Sequence, residues 1–215
     1  MIASLSRRIR LAREAWAFIL PLASITVLTA SLGWRIPAGV GLVLIACVAF
    51  FFRDPERVIP QTPGAIVSPA DGRVMEIVSE GEQTCRLSIF LSVLNVHVNR
   101  APYDGKVRAV SYTPGKFLAA YRQEASIVNE ANSITIEGQG REFVVKQIAG
   151  VLARRIVCRV QPGDMLAKGQ RYGLIRFGSR TDVVMPRDAE VTVQVGDTVK
   201  GGESIIAFLK EPQGI

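Results

Sequence analysis

Residues 69–74 read Pro-Ala-Asp-Gly-Arg-Val, and residues 102–107 read Pro-Tyr-Asp-Gly-Lys-Val. A looser copy, Pro-Arg-Asp-Ala-Glu-Val, occupies 186–191. In each, a proline presets φ, an Asp-Gly or Asp-Ala pair bends the chain, and a branched apolar residue follows, so each copy is a turn that launches a strand. A second repeat lies downstream. Residues 163–169 read Gly-Asp-Met-Leu-Ala-Lys-Gly, and residues 196–202 read Gly-Asp-Thr-Val-Lys-Gly-Gly. Around these turns run short β-branched segments: RVMEIV, RLSIFLSV, KVRAVSY, SITIEG, REFVVKQI, RIVCRV, RYGLIRF, VTVQV and SIIAFL. No long helical period interrupts them, which predicts a mainly β domain of short strands over 64–215. Residues 115–132 are the one stretch there that reads as a short helical or lid-like insertion.

The V-x-x-G-D-x-φ-x-x-G pattern of the second repeat resembles the turn grammar of biotinyl and lipoyl modules, and a barrel-sandwich-like core is the expected fold. No Met-Lys-Met carrier tip is present, so a lysine-modified carrier is not expected. The N-terminal quarter differs. Residues 1–14 carry Arg7, Arg8, Arg10 and Arg13; residues 15–33 and 36–52 are then two charge-free apolar runs of 19 and 17 residues. The first meets the length of a membrane-spanning helix and the second sits at the lower limit. Basic residues flank the pair on both outer sides, Arg53 and Arg57 following it, so both ends are expected on the cytoplasmic face of a membrane-associated helical hairpin. Pro21, Gly39 and Gly41 interrupt the runs and leave open whether it spans or dips into one leaflet. A cleaved signal peptide and two buried core helices are the competing readings. Residues 53–63, with three prolines, read as a linker.

Composition narrows the function classes. Of 215 residues, 48% are hydrophobic and the net charge is +7, which suggests an anionic partner. Aromatic residues are only 7% and no basic run interleaves with them, so a membrane surface is favoured over nucleic acid. Cys47, Cys85 and Cys158 are odd in number and widely spaced; neither a disulfide framework nor a zinc site is expected. His97 is the single histidine, so no multi-histidine metal site exists and no metal is expected.

Three segments carry candidate chemistry: Ser68-Pro-Ala-Asp71-Gly-Arg, Asn95-Val-His97-Val-Asn99-Arg100-Ala-Pro, and Arg176-Phe-Gly178-Ser179-Arg180-Thr-Asp182. In this order, behind an apolar N-terminal hairpin, they resemble the phosphatidylserine decarboxylases of the short prokaryotic type over nearly the whole chain. The resemblance implies a proenzyme that cuts itself between Gly178 and Ser179. It implies that Ser179 becomes a covalent pyruvoyl group, which forms a Schiff base with the amine of a phospholipid and accepts the electron pair left by departing CO₂. Glycine before the serine removes Cβ crowding at the attacked carbonyl and tolerates a strained backbone. An isolated Gly-Ser is otherwise a plain turn.

His97 is the only imidazole available for proton transfer near neutral pH, in self-cleavage, in decarboxylation, or in both; a lone histidine can equally be structural. Asp71 matches the family's acidic partner, which would orient the base as in a serine-protease-like triad. Asp104 and Asp188 occupy equivalent places in the repeated turn, so Asp71 can also be read as a turn former. Arg100 and Asn99 are candidate substrate-binding residues. The chain departs from the long-form enzymes at Arg100, which stands where those carry a second histidine.

Cleavage would leave residues 1–178 and 179–215; a 37-residue piece is too small to hold a core alone, so an obligate heterodimer of the two fragments is expected, with higher oligomers open. Phosphatidylserine as substrate, phosphatidylethanolamine as product, and a site at the cytoplasmic face of the cell membrane follow from the resemblance. The alternatives are a membrane-anchored serine hydrolase, although no G-x-S-x-G elbow is present, the related decarboxylase of archaeal-type ether lipids, and a non-enzymatic lipoyl-like module on an anchor.

Overall fold

The repeated Asp-Gly turns are the corners on which the β domain is built. In the computed structural model, which describes residues 9–81, 83–120, 124–151, 155–176 and 178–210, the chain divides into two compact units, Met1–Glu56 and Arg57–Ile215. Arg7 and Arg8 of the basic segment lie outside the described residues.

In the first unit, strands β1 (Ile9–Leu11) and β2 (Arg53–Pro55) pair antiparallel and bracket two helices, α1 (Trp16–Ser31) and α2 (Arg35–Phe51). The strand β2 therefore takes the first residues of the proline-rich stretch. Arg13–Ser31 is long and apolar enough to cross a membrane, and α2 is shorter. The helices touch where Gly41 of α2 faces Thr26 of α1, whose hydroxyl donates to the Leu22 carbonyl at 2.7 Å. Most of their apolar side chains, such as Ile25, Ile36, Leu42 and Val43, are exposed. A pair of core helices in water would bury them.

The second unit is mainly β, as the period-2 runs predict. Its strands are β3 (Ala65–Val67), β4 (Gly72–Glu80), β5 (Thr84–Leu91), β6 (Val98–Arg100), β7 (Gly105–Thr113), β8 (Ala131–Gly138), β9 (Arg141–Ile148), β10 (Ile156–Cys158), β11 (Met165–Leu166), β12 (Arg171–Ile175), β13 (Ser179–Pro186), β14 (Ala189–Val191), β15 (Thr198–Val199) and β16 (Ile205–Leu209). Eight of them form one curled sheet in the order β11-β7-β8-β9-β13-β5-β4-β15; β10-β12-β6 and β14-β16-β3 form two smaller sheets. Alternate residues of the large sheet, including Leu87, Ile89, Ile134, Ile136, Phe143 and Val145, point into a single core. Each buried aliphatic or aromatic side chain contributes about 1.5–3 kcal/mol.

The two repeats interlock as a pseudo-symmetric pair. The Gly72 end of β4 pairs with β15, and the Gly105 end of β7 pairs with β11. Val74 N–H donates to the Asp197 carbonyl and Gly196 N–H returns to Val74, each at 2.8 Å; Val107, Asp164 and Gly163 repeat both bonds at the same distances. A Cβ on Gly72 would overlap the Phe90 carbonyl, and one on Gly105 the Glu137 carbonyl. That close approach is why both copies keep glycine.

Two details differ from the sequence expectation. The insertion over 115–132 contains one helical turn, α3 (Ala125–Val128), and its last two residues already belong to β8; residues 121–123 lie outside the described residues. VTVQV is strand only at Val191, because the Gly196-Asp197 turn draws residues 194–197 into its own hydrogen bonds.

Candidate active site

The strand that carries Ser179 is β13, which the sequence reading passed over. It lies in the middle of the large sheet, pairing with β5 from Ser179↔Leu91 to Pro186↔Thr84 and with β9 from Arg180↔Ile148 to Val184↔Val144. Side chains alternate along it. Val183 and Met185 point into the core, and Ser179 and Thr181 share their parity. Arg180 and Asp182 face the other way, where Arg180 Nε donates to Asp182 Oδ1 at 2.6 Å and Nη2 to Ser88 Oγ at 2.7 Å. Arg86 joins this network through Ser88 at 2.7 Å and Glu76 at 2.9 Å. Buried ionic pairs of this kind are tolerated only when the charges are mutually satisfied.

Ser179 is fully buried, and its hydroxyl has no hydrogen-bond partner among the described residues. Leaving a buried hydroxyl unsatisfied costs about 1–3 kcal/mol, a cost that is accepted at reactive groups. The residue before it, Gly178, has φ +55°, the left-handed region that a side chain disfavours. Its carbonyl packs directly on the Cα of Gly150: a Cβ there would overlap the carbonyl oxygen, stand 3.0 Å from the carbonyl carbon and 3.3 Å from Ala120 Cβ. Asn129 fixes this arrangement. Its buried amide accepts from Leu118 N–H at 2.9 Å and donates to the Leu118 and Ala149 carbonyls at 2.8 and 2.7 Å. The insertion is thereby stapled to the residue next to Gly150. Gly150 and Asn129 were not singled out from sequence. An isolated glycine and an isolated asparagine give no signal until the fold brings distant chain segments together.

His97 is buried, and its Nδ1 lies 2.9 Å from the Asn95 carbonyl. A carbonyl only accepts, so Nδ1 carries a proton and the neutral form of the ring has its lone pair on Nε2. The turn behind it is held by Asn95 Oδ1, which accepts from Ser92 N–H at 2.9 Å and Ser92 Oγ at 2.7 Å. The His97 carbonyl accepts from Ile175 N–H at 3.2 Å, extending the β6–β12 pairing by one residue.

Asn99 links these elements. Its Nδ2 donates to Thr181 Oγ1 at 3.1 Å, and its Oδ1 accepts from Gln147 Nε2 at 2.9 Å, with Asn132 continuing the buried chain to Gln147 at 3.1 Å. His97 and Ser179 each lie two residues from the Asn99–Thr181 bond, about 6.6 Å along an extended chain. Asn99 thus ties the histidine segment to the Ser179 strand.

Asp71 belongs to a neighbouring cluster. Its Oδ2 accepts from Arg57 Nη2 at 2.6 Å and its Oδ1 from Gly201 N–H at 2.8 Å, while Arg57 Nη1 reaches Glu203 Oε2 at 3.1 Å. Burial pushes the Asp71 carboxyl above the ordinary aspartate range, opposed chiefly by the Arg57 charge and then by the Gly201 amide. Arg100 stands beside this cluster. Its Nη1 donates to the Gly169 carbonyl at 3.0 Å, and its N–H donates to the Pro69 carbonyl at 2.9 Å. The Asn99 amide lies 3.5 Å from that same carbonyl, so Pro69 joins the two groups of candidate residues.

Comparison with known proteins adds an independent line. The family model described as phosphatidylserine decarboxylase matches residues 44–207. A protein of Geotalea uraniireducens named phosphatidylserine decarboxylase proenzyme is 45% identical over 205 residues, covering 93% of this chain and 96% of its own length. Proteins of the same name from Symbiobacterium thermophilum and Ehrlichia chaffeensis are 46% and 39% identical, covering 95% and 93% of this chain and 98% and 91% of theirs.

Proposed function

Because this chain belongs to the phosphatidylserine decarboxylase family, we propose that it matures by cutting itself between Gly178 and Ser179 and then decarboxylates phosphatidylserine to phosphatidylethanolamine and CO₂. The observation that carries this reading is the buried Ser179 hydroxyl, without a hydrogen-bond partner among the described residues, behind a left-handed Gly178 whose carbonyl is held against Gly150. A hydroxyl without a competing hydrogen bond, next to a carbonyl that cannot move away, is arranged for an intramolecular attack.

In that attack Ser179 Oγ adds to the Gly178 carbonyl carbon and gives up its proton to the neutral form of His97, which has its lone pair on Nε2 because Nδ1 bonds the Asn95 carbonyl. Collapse breaks the Gly178–Ser179 C–N bond and leaves an ester. Removal of the Ser179 Cα proton then expels the Gly178 carboxylate by β-elimination, giving residues 1–178 a new C-terminus. The dehydroalanine left at position 179 takes up water and releases ammonia, which makes the pyruvoyl end of residues 179–215. The residues present fit this group, since position 179 is enclosed and Gly150 and Ala120 lie at the Gly178 carbonyl beside it. When formed, the group supplies an electrophilic carbonyl that takes up the electron pair released with CO₂. Asp71 is assigned as the acidic partner of the base, and Arg100 and Asn99 act near the substrate, Asn99 by positioning. The 179–215 fragment stays in place after the cut because β13 is bonded on both sides by β5 and β9.

The exposed apolar surface of α1 and α2 supports membrane association, in keeping with a lipid substrate. Intact mass and a denaturing gel test the reading. Two fragments are expected from the wild type and one uncut, inactive chain from Ser179→Ala. A wild-type chain that stays whole at 23.4 kDa while decarboxylating the lipid would overturn it.

A further inference from the structure

Neither the internal repeat nor the chemistry assigned to Ser179 accounts for the arginine that grips Asp71. Arg57 is the first residue of the β domain, and its side chain is 6% exposed although it stands in a proline-rich connecting stretch. Its planar fork spans two carboxylates, Asp71 at 2.6 Å and Glu203 at 3.1 Å. Burying a guanidinium is expensive unless both arms are satisfied. Here the two acids come from opposite sides of the proposed cut, Asp71 from residues 1–178 and Glu203 from 179–215. The loop around Glu203 is docked on the Asp71 turn by main-chain bonds as well: Ser68 N–H to the Ser204 carbonyl at 2.8 Å and Gly202 N–H to the Ser68 carbonyl at 2.7 Å.

We infer that Arg57 is a positioning residue for self-cleavage, bridging Asp71 to Glu203 so that the Asp71 carboxylate is held in place to support the base that activates Ser179. This rests on the reading of Ser179 as the maturation site and of Asp71 as the acidic partner. The electrostatics run in the same direction. The charged groups facing Asp71 are Arg57, Arg100 and, through Arg57, Glu203. Burial favours the neutral carboxyl, and Arg57 is the largest influence opposing it. Without Arg57 the carboxyl takes up its proton at a higher pH, and self-cleavage fails at a higher pH as the solution is acidified. Glu203 acts with the opposite sign. It competes for the same guanidinium and adds a second negative charge, so neutralising it makes Asp71 easier to ionise.

The opposed signs give the test. Full-length chain from a short cell-free pulse is moved into buffers from about pH 5.5 to 8.5, a range around the ordinary histidine value, and cleavage is followed on a denaturing gel. Relative to wild type, Arg57→Met is expected to cleave about tenfold more slowly near the acid end, because its acid limb moves to higher pH. Arg57→Lys keeps the charge but loses the fork, and falls between. Glu203→Gln is expected to move the limb the other way and cleave about two- to threefold faster at the acid end. General loss of folding slows both variants together and cannot produce opposite displacements. Should Arg57→Met fail to accumulate, Arg57→Lys and Glu203→Gln still decide the sign. Profiles that superimpose on wild type, or that shift in one direction, overturn the proposal. A wild-type chain that never cleaves would instead overturn the reading of Ser179.

Discussion

The turns at Asp71 and Asp104 are two copies of one device placed in different surroundings. In both, the aspartate accepts a main-chain N–H from the second repeat at 2.8 Å: Gly201 for Asp71, Lys168 for Asp104. In both, the glycine that follows approaches a neighbouring carbonyl too closely for a Cβ. The copies part at the side chain's second oxygen. Asp71 is largely buried and bonded to Arg57, whereas Asp104 is exposed. The shared bonds explain why an aspartate is needed to build the corner; the unshared ion pair is what sets the Asp71 corner apart from the Asp104 corner. The third copy, at Asp188, has alanine where the others have glycine, and its carboxylate pairs with Arg141 at 2.7 Å on the surface.

The comparison is broken most directly by removing each charge in turn. Asp71→Asn is expected to slow self-cleavage on the order of 10³-fold, comparable in kind to misorienting a catalytic base, while Asp104→Asn leaves cleavage within a few-fold of wild type and loses about 1 kcal/mol of folding stability with its hydrogen bond. Equal effects at both positions, on a gel time course and urea unfolding, would erase the distinction. Next in size is a substitution outside either copy. Gly150→Ala forces the Gly178 carbonyl from its place and should slow cleavage about 10²-fold, the usual penalty for displacing a reacting group by about 1 Å, with fold retained by circular dichroism.

The glycines sharpen the comparison from the structural side. Gly72→Ala and Gly105→Ala should each cost about 1–3 kcal/mol through overpacking, but only Gly72→Ala, adjacent to Asp71, should also slow cleavage. Unfolding midpoints and gel rates measured on the same preparations separate the two effects. The smallest effect is on the pH dependence of stability. The folded-state carboxyl of Asp71 lies above the ordinary value of 3.8, so between those two values the folded chain holds more protons than the unfolded one. Asp71 therefore contributes less to stability as pH rises through that window. Asp71→Asn should flatten this segment of the curve in urea titrations of the uncleaved Ser179→Ala chain. An unchanged curve would mean that Asp71 titrates as it does in the unfolded state.

The strand that bears Ser179 shows where reading from sequence stops. SRTDVVMP has arginine and aspartate at alternate positions, a pattern of a solvated strand or a loop, yet β13 is buried throughout its first five residues. Arg180 and Asp182 tolerate burial because Ser88 and Arg86 come from β5 and Glu76 from β4 to complete their bonds. No local propensity encodes that rescue. By contrast, SITIEG alternates polar and apolar residues and folds as the pattern predicts, since one face of it is core and period 2 survives in the sequence.

What the sequence alone determined about this protein is periodic or local: the mainly β character, the repeated Asp-Gly corners, the apolar N-terminal helices, and a Gly-Ser pair downstream of one histidine. These depend on backbone preferences and side-chain alternation over a few residues, which the order of residues carries in full. Only the tertiary structure decided that Asp71 is gripped while Asp104 is not, that Gly150 presses on the Gly178 carbonyl, and that Asn99 ties the histidine segment to the Ser179 strand. Each of those is a contact between groups 14 to 146 residues apart. Such contacts exist only once loop closure has been overcome by burial of the shared core, and nothing in the composition of either segment names its partner.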